Sequence, residues 1–299
     1  MNVLVTGAAG FIGNHLCRYL QKEHYVVGVY HDRFPSTATF HAVQADVTNT
    51  DRLLSLLVNL EIDFVYHCAA RSIVRHCCQD PLDCFSVNIM GTAALLEACR
   101  RSEQIKGVMC MESDKSYGPG PLPYKEDQAL NPTGIYEASK ACAGHIARCY
   151  YKNFGVPVFT VRSANVYGPS DPNKSRLIPN TIKRLRAGHQ PEITTGADRF
   201  SREFIYIKDF IAVVVGLMEA IPWGKTINVG SGEMATVTEI IQLICSTMKR
   251  ECSPVSLPGP KTLQEIEHQQ LDTTLMHSLL PSLRSFFTLP EGIKATCST

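Results

Sequence analysis

The sequence predicts an α/β protein with a doubly wound parallel sheet and a smaller C-terminal lobe. Three observations carry this prediction. Short β-branched runs alternate with helix-period segments through the first half, a glycine-spaced turn follows the first of those runs, and Pro and Gly become frequent from about Asn165. Such alternation places parallel strands at the centre and helices on both faces.

Val3–Thr6, Val26–Tyr30, Asp63–His67, Lys106–Met111 and Val156–Arg162 read as strands buried on both faces. Between them, Phe11–Glu23, Asp51–Leu60, Pro81–Arg101 and Ile135–Phe154 carry helical periodicity. Tyr167–Pro191 and Thr236–Thr299 are expected to build the lobe against the carboxyl edge of the sheet. Arg202–Glu219 and Thr226–Val229 look like a return to the core. The expected division is residues 1–165 with about 202–230 in the sheet domain, and 166–201 with 231–299 in the lobe.

Composition narrows the function. With 299 residues the chain can form one large domain or a core with an appendage. At 44% hydrophobic and 19% charged it is not broadly disordered. The balance of 29 Lys plus Arg against 28 Asp plus Glu gives no general reason to bind nucleic acid or an anionic membrane. Twelve cysteines lack paired CxxC knuckles and suitably spaced His, so they read as reduced core thiols and no metal site is expected. The start lacks a signal-like pattern, and runs such as Ile211–Leu217 fall short of the ~18–20 residues of a membrane span. A soluble, cytoplasmic protein is expected.

Val3-Leu4-Val5-Thr6 runs into Gly7-Ala8-Ala9-Gly10-Phe11-Ile12-Gly13 and then a helix. Gly7 permits the tight turn, Gly10 lets the backbone close on a pyrophosphate, and Gly13 allows close helix–strand contact. The helix start at Phe11 and Ile12 then offers free N–H groups to phosphate. Strand, turn and helix together indicate dinucleotide binding on a Rossmann domain. The second strand ends Tyr30-His31-Asp32-Arg33. Asp32 suits the ribose hydroxyls of NAD, whereas Arg33 or His31 suits the 2′-phosphate of NADP; both cofactors stay open.

Tyr136 and Lys140 stand four apart in a helical segment, so both side chains share one face. A Lys ammonium beside a Tyr phenol lowers its pKa from about 10 and readies it to take a hydroxyl proton during hydride transfer. With the glycine turn, this pair indicates redox chemistry at a carbinol.

These motifs resemble the extended short-chain dehydrogenase/reductase family, the NAD(P)-dependent nucleotide-sugar epimerases and dehydratases. The resemblance runs from Met1 to about Ser231. It covers Gly7–Gly13, Ala45-Asp46-Val47, His67-Cys68-Ala69-Ala70, Asn88-Ile89-Met90-Gly91-Thr92, Ser113 to Gly118, Tyr136 with Lys140, Asn165-Val166-Tyr167-Gly168-Pro169 and Asn228-Val229-Gly230. It implies that Asp46 and Val47 meet adenine, that Ala69, Ala70 and Asn88 lie beside the cofactor, and that Ser113 holds the substrate oxygen near Tyr136.

The resemblance also bears on the reaction. Asp114-Lys115 is the pattern of the cytidine-linked sugar 4,6-dehydratases, whereas simple 4-epimerases usually have small or neutral residues there. Once C4 is a ketone the C5 proton is acidic, and loss of the C6 hydroxyl needs a base and an acid. Lys115, helped by burial and by Lys140 or Arg71, takes the first role, and Asp114 takes the second. Hydride return to C6 gives a 4-keto-6-deoxy sugar; return to C4 leaves a 5,6-unsaturated one. A 4-epimerase, a 4-keto sugar reductase and a non-catalytic dinucleotide sensor are the alternatives.

For a nucleotide-diphosphate sugar, the resemblance implies that Arg202 binds the pyrophosphate, with Arg71, Asn165, Arg176 and Leu177 as further substrate contacts. Relatives commonly carry a second phosphate Arg before the position of Asp272. This chain reads Glu265-Ile266-Glu267-His268-Gln269-Gln270-Leu271-Asp272, where Glu267 is expected to repel phosphate. Relatives also pair the helices matching Pro81–Arg101 and Ile135–Phe154 between subunits, so a homodimer is expected.

Overall fold

A computed structural model describes residues 1–34, 38–258, 266–283 and 286–298. In its first half, β1 (Asn2–Thr6) leads into α1 (Phe11–Leu20), followed by β2 (Tyr25–Tyr30), β3 (His41–Gln44), α2 (Thr50–Asn59) and β4 (Phe64–His67). Next come α3 (Val74–Gln79), α4 (Pro81–Phe85), α5 (Gly91–Ser102), β5 (Gly107–Met111), α6 (Ile135–Phe154) and β6 (Val158–Ser163). The second half contains β7 (Asn165–Tyr167), α7 (Leu177–Arg186), β8 (Glu192–Thr194), β9 (Ser201–Tyr206), α8 (Ile207–Ala220) and β10 (Thr226–Val229). It ends with β11 (Met234–Thr236), α9 (Val237–Thr247), β12 (Val255–Leu257), α10 (Thr274–Leu279) and α11 (Leu289–Cys297).

Seven strands form one parallel sheet in the order β10-β6-β5-β4-β1-β2-β3. The predicted parallel α/β architecture is therefore present. Every residue of β5 and β6 is buried, which explains their near-continuous apolar sequence. Apolar clusters fill both faces. One gathers Leu53, Leu57, Leu95 and Leu96 from α2 and α5; the other gathers Leu16, Phe210 and Val214 from α1 and α8. Strand order reverses between β2 and β4, on either side of β1, and ligands of such sheets bind at the carboxyl ends beside that switch.

The chain leaves the sheet after β6, and β7, β9 and β11 form a second, three-stranded sheet. Residues 202–206 pair there, while α8 packs against α1 and β5 and β10 closes the large sheet beside β6. The parallel pair β8 and β12 adds a further wall.

The single helix expected over Pro81–Arg101 is instead α4 and α5 joined by a wider π-helical turn at Ser86–Met90. The extra residue in that turn directs Asn88 inward, where it is 1% exposed. The run Pro81–Ser102, 22 residues of hydropathy 1.3, has the length and composition to cross a membrane, which corrects the expectation that no segment does. In this fold 44% of its apolar window is buried, and the segment packs on α2 and α6.

Candidate active site

A cavity of about 880 Å³ opens at the carboxyl ends of β1, β4, β5 and β6, closed over by residues of α7, β8 and the 197–204 segment. Its floor is the glycine turn. Gly7 has φ +73, and a Cβ there would stand 2.8 Å from the Ala69 nitrogen. A Cβ on Gly13 would collide with the Gly7 carbonyl, so α1 can approach β1 only without a side chain. Gly10 caps α1 with no side-chain bond, which leaves the N–H groups of Phe11, Ile12 and Gly13 directed into the cavity for phosphate. Backbone alone makes this cradle, and it fits a dinucleotide pyrophosphate.

The adenosine end is bounded by Tyr30, His31, Asp46 and Val47. Asp46 accepts hydrogen bonds from the Thr48 amide and hydroxyl at 2.8 Å each, which hold its carboxyl below the usual range. Asp32 and Arg33 lie outside the cavity lining. Asp32 pairs with His31 at 2.7 Å, and Arg33 donates to the Ala9 carbonyl at 3.3 Å.

Ala69 and Ala70 line the cavity after β4, with the Ala69 amide donating to Thr6 Oγ1 at 3.2 Å. Asn88 stands behind that wall. Its Oδ1 accepts from the Arg71 amide at 2.7 Å, and its Nδ2 donates to the Arg71 carbonyl and to Ser139 Oγ. It thus fixes the 69–71 backbone to α6. Behind it again, His67 bridges Thr6 and Thr92 in full burial, which pushes its imidazole down to about 3 and keeps it neutral.

Ser113, Asp114 and Lys115 follow β5 after Glu112, and all three line the cavity with Tyr136 and Lys140 of α6. Ser113 stands close enough to the Tyr136 hydroxyl to pull its pKa down. It also donates to Asp114 Oδ1 at 3.1 Å. Asp114 is 4% exposed, and burial pushes its carboxyl up. Its Oδ2 accepts from Gln269 Nε2 at 3.1 Å.

The expected effect of Lys140 on Tyr136 is not seen. Burial pushes the phenol up to about 12, while Ser113 and the Arg176 charge pull it down. Lys140 Nζ instead donates to the Met111 carbonyl at 2.7 Å, and burial lowers its own pKa. Desolvation is the largest influence on both groups. Glu112 behind Lys140 forms a buried pair with Arg162 at 2.8 Å, both side chains 1% exposed.

Arg71, Arg176 and Arg202 are each engaged by the protein. Arg71 grips Asp83 through two bonds of 2.6 and 3.1 Å, so its charge is spoken for before it reaches Lys115. Arg176 reaches Asp171 at 3.4 Å, and Leu177 lines the cavity beside it. Asn165 donates to the Glu203 carbonyl at 3.2 Å. Arg202 donates to the carbonyls of Ser201 and Glu267 while lining the cavity. Glu267, expected to repel phosphate, is thus placed by its backbone to orient Arg202. Glu265 lies outside the described residues.

The comparisons with known proteins agree with this layout. The sequence pattern of the NAD dependent epimerase/dehydratase family matches residues 3–230. The chain belongs to that family. A UDP-glucose 4-epimerase of Mycolicibacterium smegmatis is 30% identical over 99% of this chain and 97% of its own length. A trifunctional UDP-glucose 4,6-dehydratase/3,5-epimerase/reductase of Arabidopsis thaliana is 30% identical over 84% of this chain, and a dTDP-D-glucose 4,6-dehydratase of Dictyostelium discoideum is 29% identical over 77%. The chain spans only 40% and 58% of the length of those two relatives. Among solved structures, the UDP-glucuronic acid 4-epimerase of Bacillus cereus with UDP-glucuronic acid and NAD matches with TM-score 0.91 and 30% identity, covering all of this chain and 98% of that one. Family members similar to this chain therefore include both 4-epimerases and 4,6-dehydratases.

Sequence reading missed Gln269, Asp83 and Glu203. Gln269 and Asp114 are 155 residues apart, and no local pattern links them. Glu203 is fully buried and accepts the Gly232 and Leu271 amides at 2.8 and 2.7 Å, tying β9 to two loops of the second half. Its place beside Arg202 was the only available hint.

Proposed function

We propose that this family member is an NAD-dependent nucleotide-sugar 4,6-dehydratase. The observation that carries the reading is Asp114, a buried carboxyl held toward its protonated form and standing beside Lys115 and Ser113. A 4-epimerase needs oxidation and reduction at one carbon. A dehydratase needs in addition an acid for the leaving hydroxyl, and Asp114 has that character.

The glycine cradle, His31 and Asp46 would hold NAD. Bound NAD supplies the hydride acceptor and donor. Ser113 orients the C4 hydroxyl, and Tyr136 would take its proton once the positive charge of bound NAD offsets the burial that holds its phenol up at about 12. Lys140, anchored on Met111, fixes the helix turn that presents Tyr136. Lys115 removes the C5 proton, and Asp114 gives its proton to the departing C6 hydroxyl. Arg202 and Arg176 face the diphosphate.

A homodimer is part of this reading. Leu82 and Met90 on α4 and the following turn are 79% and 58% exposed, and Cys142 and Cys149 lie exposed on the adjacent α6. Mass spectrometry of nucleotide-sugar reactions tests the activity. Loss of one water without added reductant supports it, and an isomer of unchanged mass supports the 4-epimerase.

A further inference from the structure

Lys140 is buried on α6 where it lines the cavity, and no ion pair among the described residues includes it. Its Nζ donates to the carbonyl of Met111, and the next residue along the chain is Glu112. Glu112 is 2% exposed. Its Oε2 accepts from Arg162 Nε at 2.8 Å, while its Oε1 is buried without a hydrogen-bond partner. The carboxylate rests on Gly144 of α6, where a Cβ would collide with Oε1. Gly144 stands one helical turn after Lys140, so both lie on one face of α6. Glu112 thus fills, on that face, the place a side chain at Gly144 would take.

Two features at this point work against stability. Glycine inside a helix is less favourable than alanine, and an enclosed carboxylate oxygen without a hydrogen bond is costly. Local costs of this kind gather where a site needs a particular charge or conformation. Here the need is electrostatic, because an ammonium withdrawn from water requires an opposite charge nearby.

The other groups around Lys140 do not supply one. Cys110 lies on β5, His67 and Cys68 at the end of β4, and Cys84 on α4. Burial pushes the Cys68 and Cys110 thiols up to about 12 and the His67 imidazole down to about 3, so these three are neutral near pH 7. On α6 itself, Tyr136 is held up to about 12 and Glu137 is turned onto Gly134 at the helix start. Beyond Tyr136, burial pushes Asp114 up, with Lys115 as its opposing charge. Burial also lowers Lys140, and Glu112 is the strongest charge that resists this. Arg162 engages only Oε2 and lies over the Tyr117 ring at 4.7 Å, which fixes the carboxylate with Oε1 toward α6.

We propose that Glu112 is a positioning residue for hydride transfer: it is the counter-charge that keeps the enclosed Lys140 an ammonium, so that Met111 takes one N–H donor and the others face a ligand in the cavity. The proposal rests on the reading of Tyr136 and Lys140 as the redox pair of a nucleotide-sugar enzyme.

NMR of protein carrying isotope-labelled lysine ε-carbons reads the Lys140 charge with no substrate present, the signal being assigned by its loss in Lys140→Met. The wild type is expected to hold Lys140 charged at about pH 7. In Glu112→Gln, which keeps the size and an acceptor for Arg162, the midpoint should fall by about one pH unit or more. Glu112→Asp should recover at least about half of that fall. Should Glu112→Gln not fold, Gly144→Ala serves in its place, since its methyl displaces the carboxylate without removing a charge. A wild-type Lys140 that is neutral at about pH 7 overturns the proposal, whatever the variants do. So does an unchanged midpoint in Glu112→Gln, or an equal fall in Glu112→Asp, which would make the effect one of packing. Reduction of bound NAD by the nucleotide sugar ties the charge to the reaction. Its rate at about pH 9 relative to about pH 7 should be about tenfold lower in Glu112→Gln than in the wild type. An equal ratio overturns the role in hydride transfer. Wild-type protein that no nucleotide sugar reduces overturns the nucleotide-sugar reading, while the titration still decides the counter-charge.

Discussion

Gln269 Nε2 donates to Asp114 Oδ2 at 3.1 Å, joining a C-terminal segment to the strand-end loop that carries Ser113. Gln269 is fully buried and itself seated by its amide on the Ser201 carbonyl. The segment before Asp272 thereby reaches the candidate acid. Replacing Gln269 by Leu removes that bond while keeping an apolar volume. We expect water loss to slow by about tenfold to a hundredfold, with oxidation at C4 changed less. Comparing absorbance of the reduced cofactor with product mass separates the two steps.

Asp114→Asn and Lys115→Ala probe the elimination directly. The amide of Asp114→Asn keeps the size of the carboxyl but cannot supply a proton, and we expect dehydration to fall by about a hundredfold or more. Lys115→Ala should abolish exchange of the C5 proton with deuterated solvent. Undiminished exchange would remove Lys115 from its role.

Gly13→Ala tests the cradle. Its methyl meets the Gly7 carbonyl, and backbone on both sides leaves little room to yield. We expect a loss of about 1–3 kcal/mol in stability and more than about tenfold in dinucleotide affinity, read by thermal unfolding and by titration.

Glu203 gives stability a pH dependence of defined sign. Burial raises its carboxyl from 4.5 to about 7, so the folded protein holds a proton that the unfolded chain has released. Its contribution is fully present below the unfolded pKa of 4.5 and is lost as pH rises through the folded value of about 7, a span of about 3 kcal/mol. Asp114 is shifted in the same direction. Glu203→Gln cannot titrate and also weakens the anchoring of Gly232 or Leu271. Its Tm should lie below that of the wild type by a margin that shrinks between about pH 5 and about pH 8. A constant margin would contradict the buried titration.

Much of this was legible in the sequence, for physical reasons that differ by residue. The turn at Gly7–Gly13 and the pair Tyr136/Lys140 are local, so spacing along one strand–turn–helix or one helix face reveals them. The strand β3 and helix α3 were missed because His41–Gln44 is half-exposed and Val74–Gln79 is short, so neither shows a clear period. The π-helical turn at Ser86–Met90 hides within an otherwise continuous helical pattern. Pairings such as Arg71 with Asp83 and Asp114 with Gln269 arise only when the chain is folded. They decide which charges remain for substrate, and spacing alone carries no sign of them.

The central claim is that Asp114 and Lys115 make this cavity a dehydrating one. Incubation of the NAD-loaded protein with UDP-, dTDP- and CDP-glucose, followed by mass spectrometry, tests it most directly. We predict a product lighter than its substrate by one water, formed with no net consumption of cofactor. A product of unchanged mass with inverted configuration at C4 would contradict the claim.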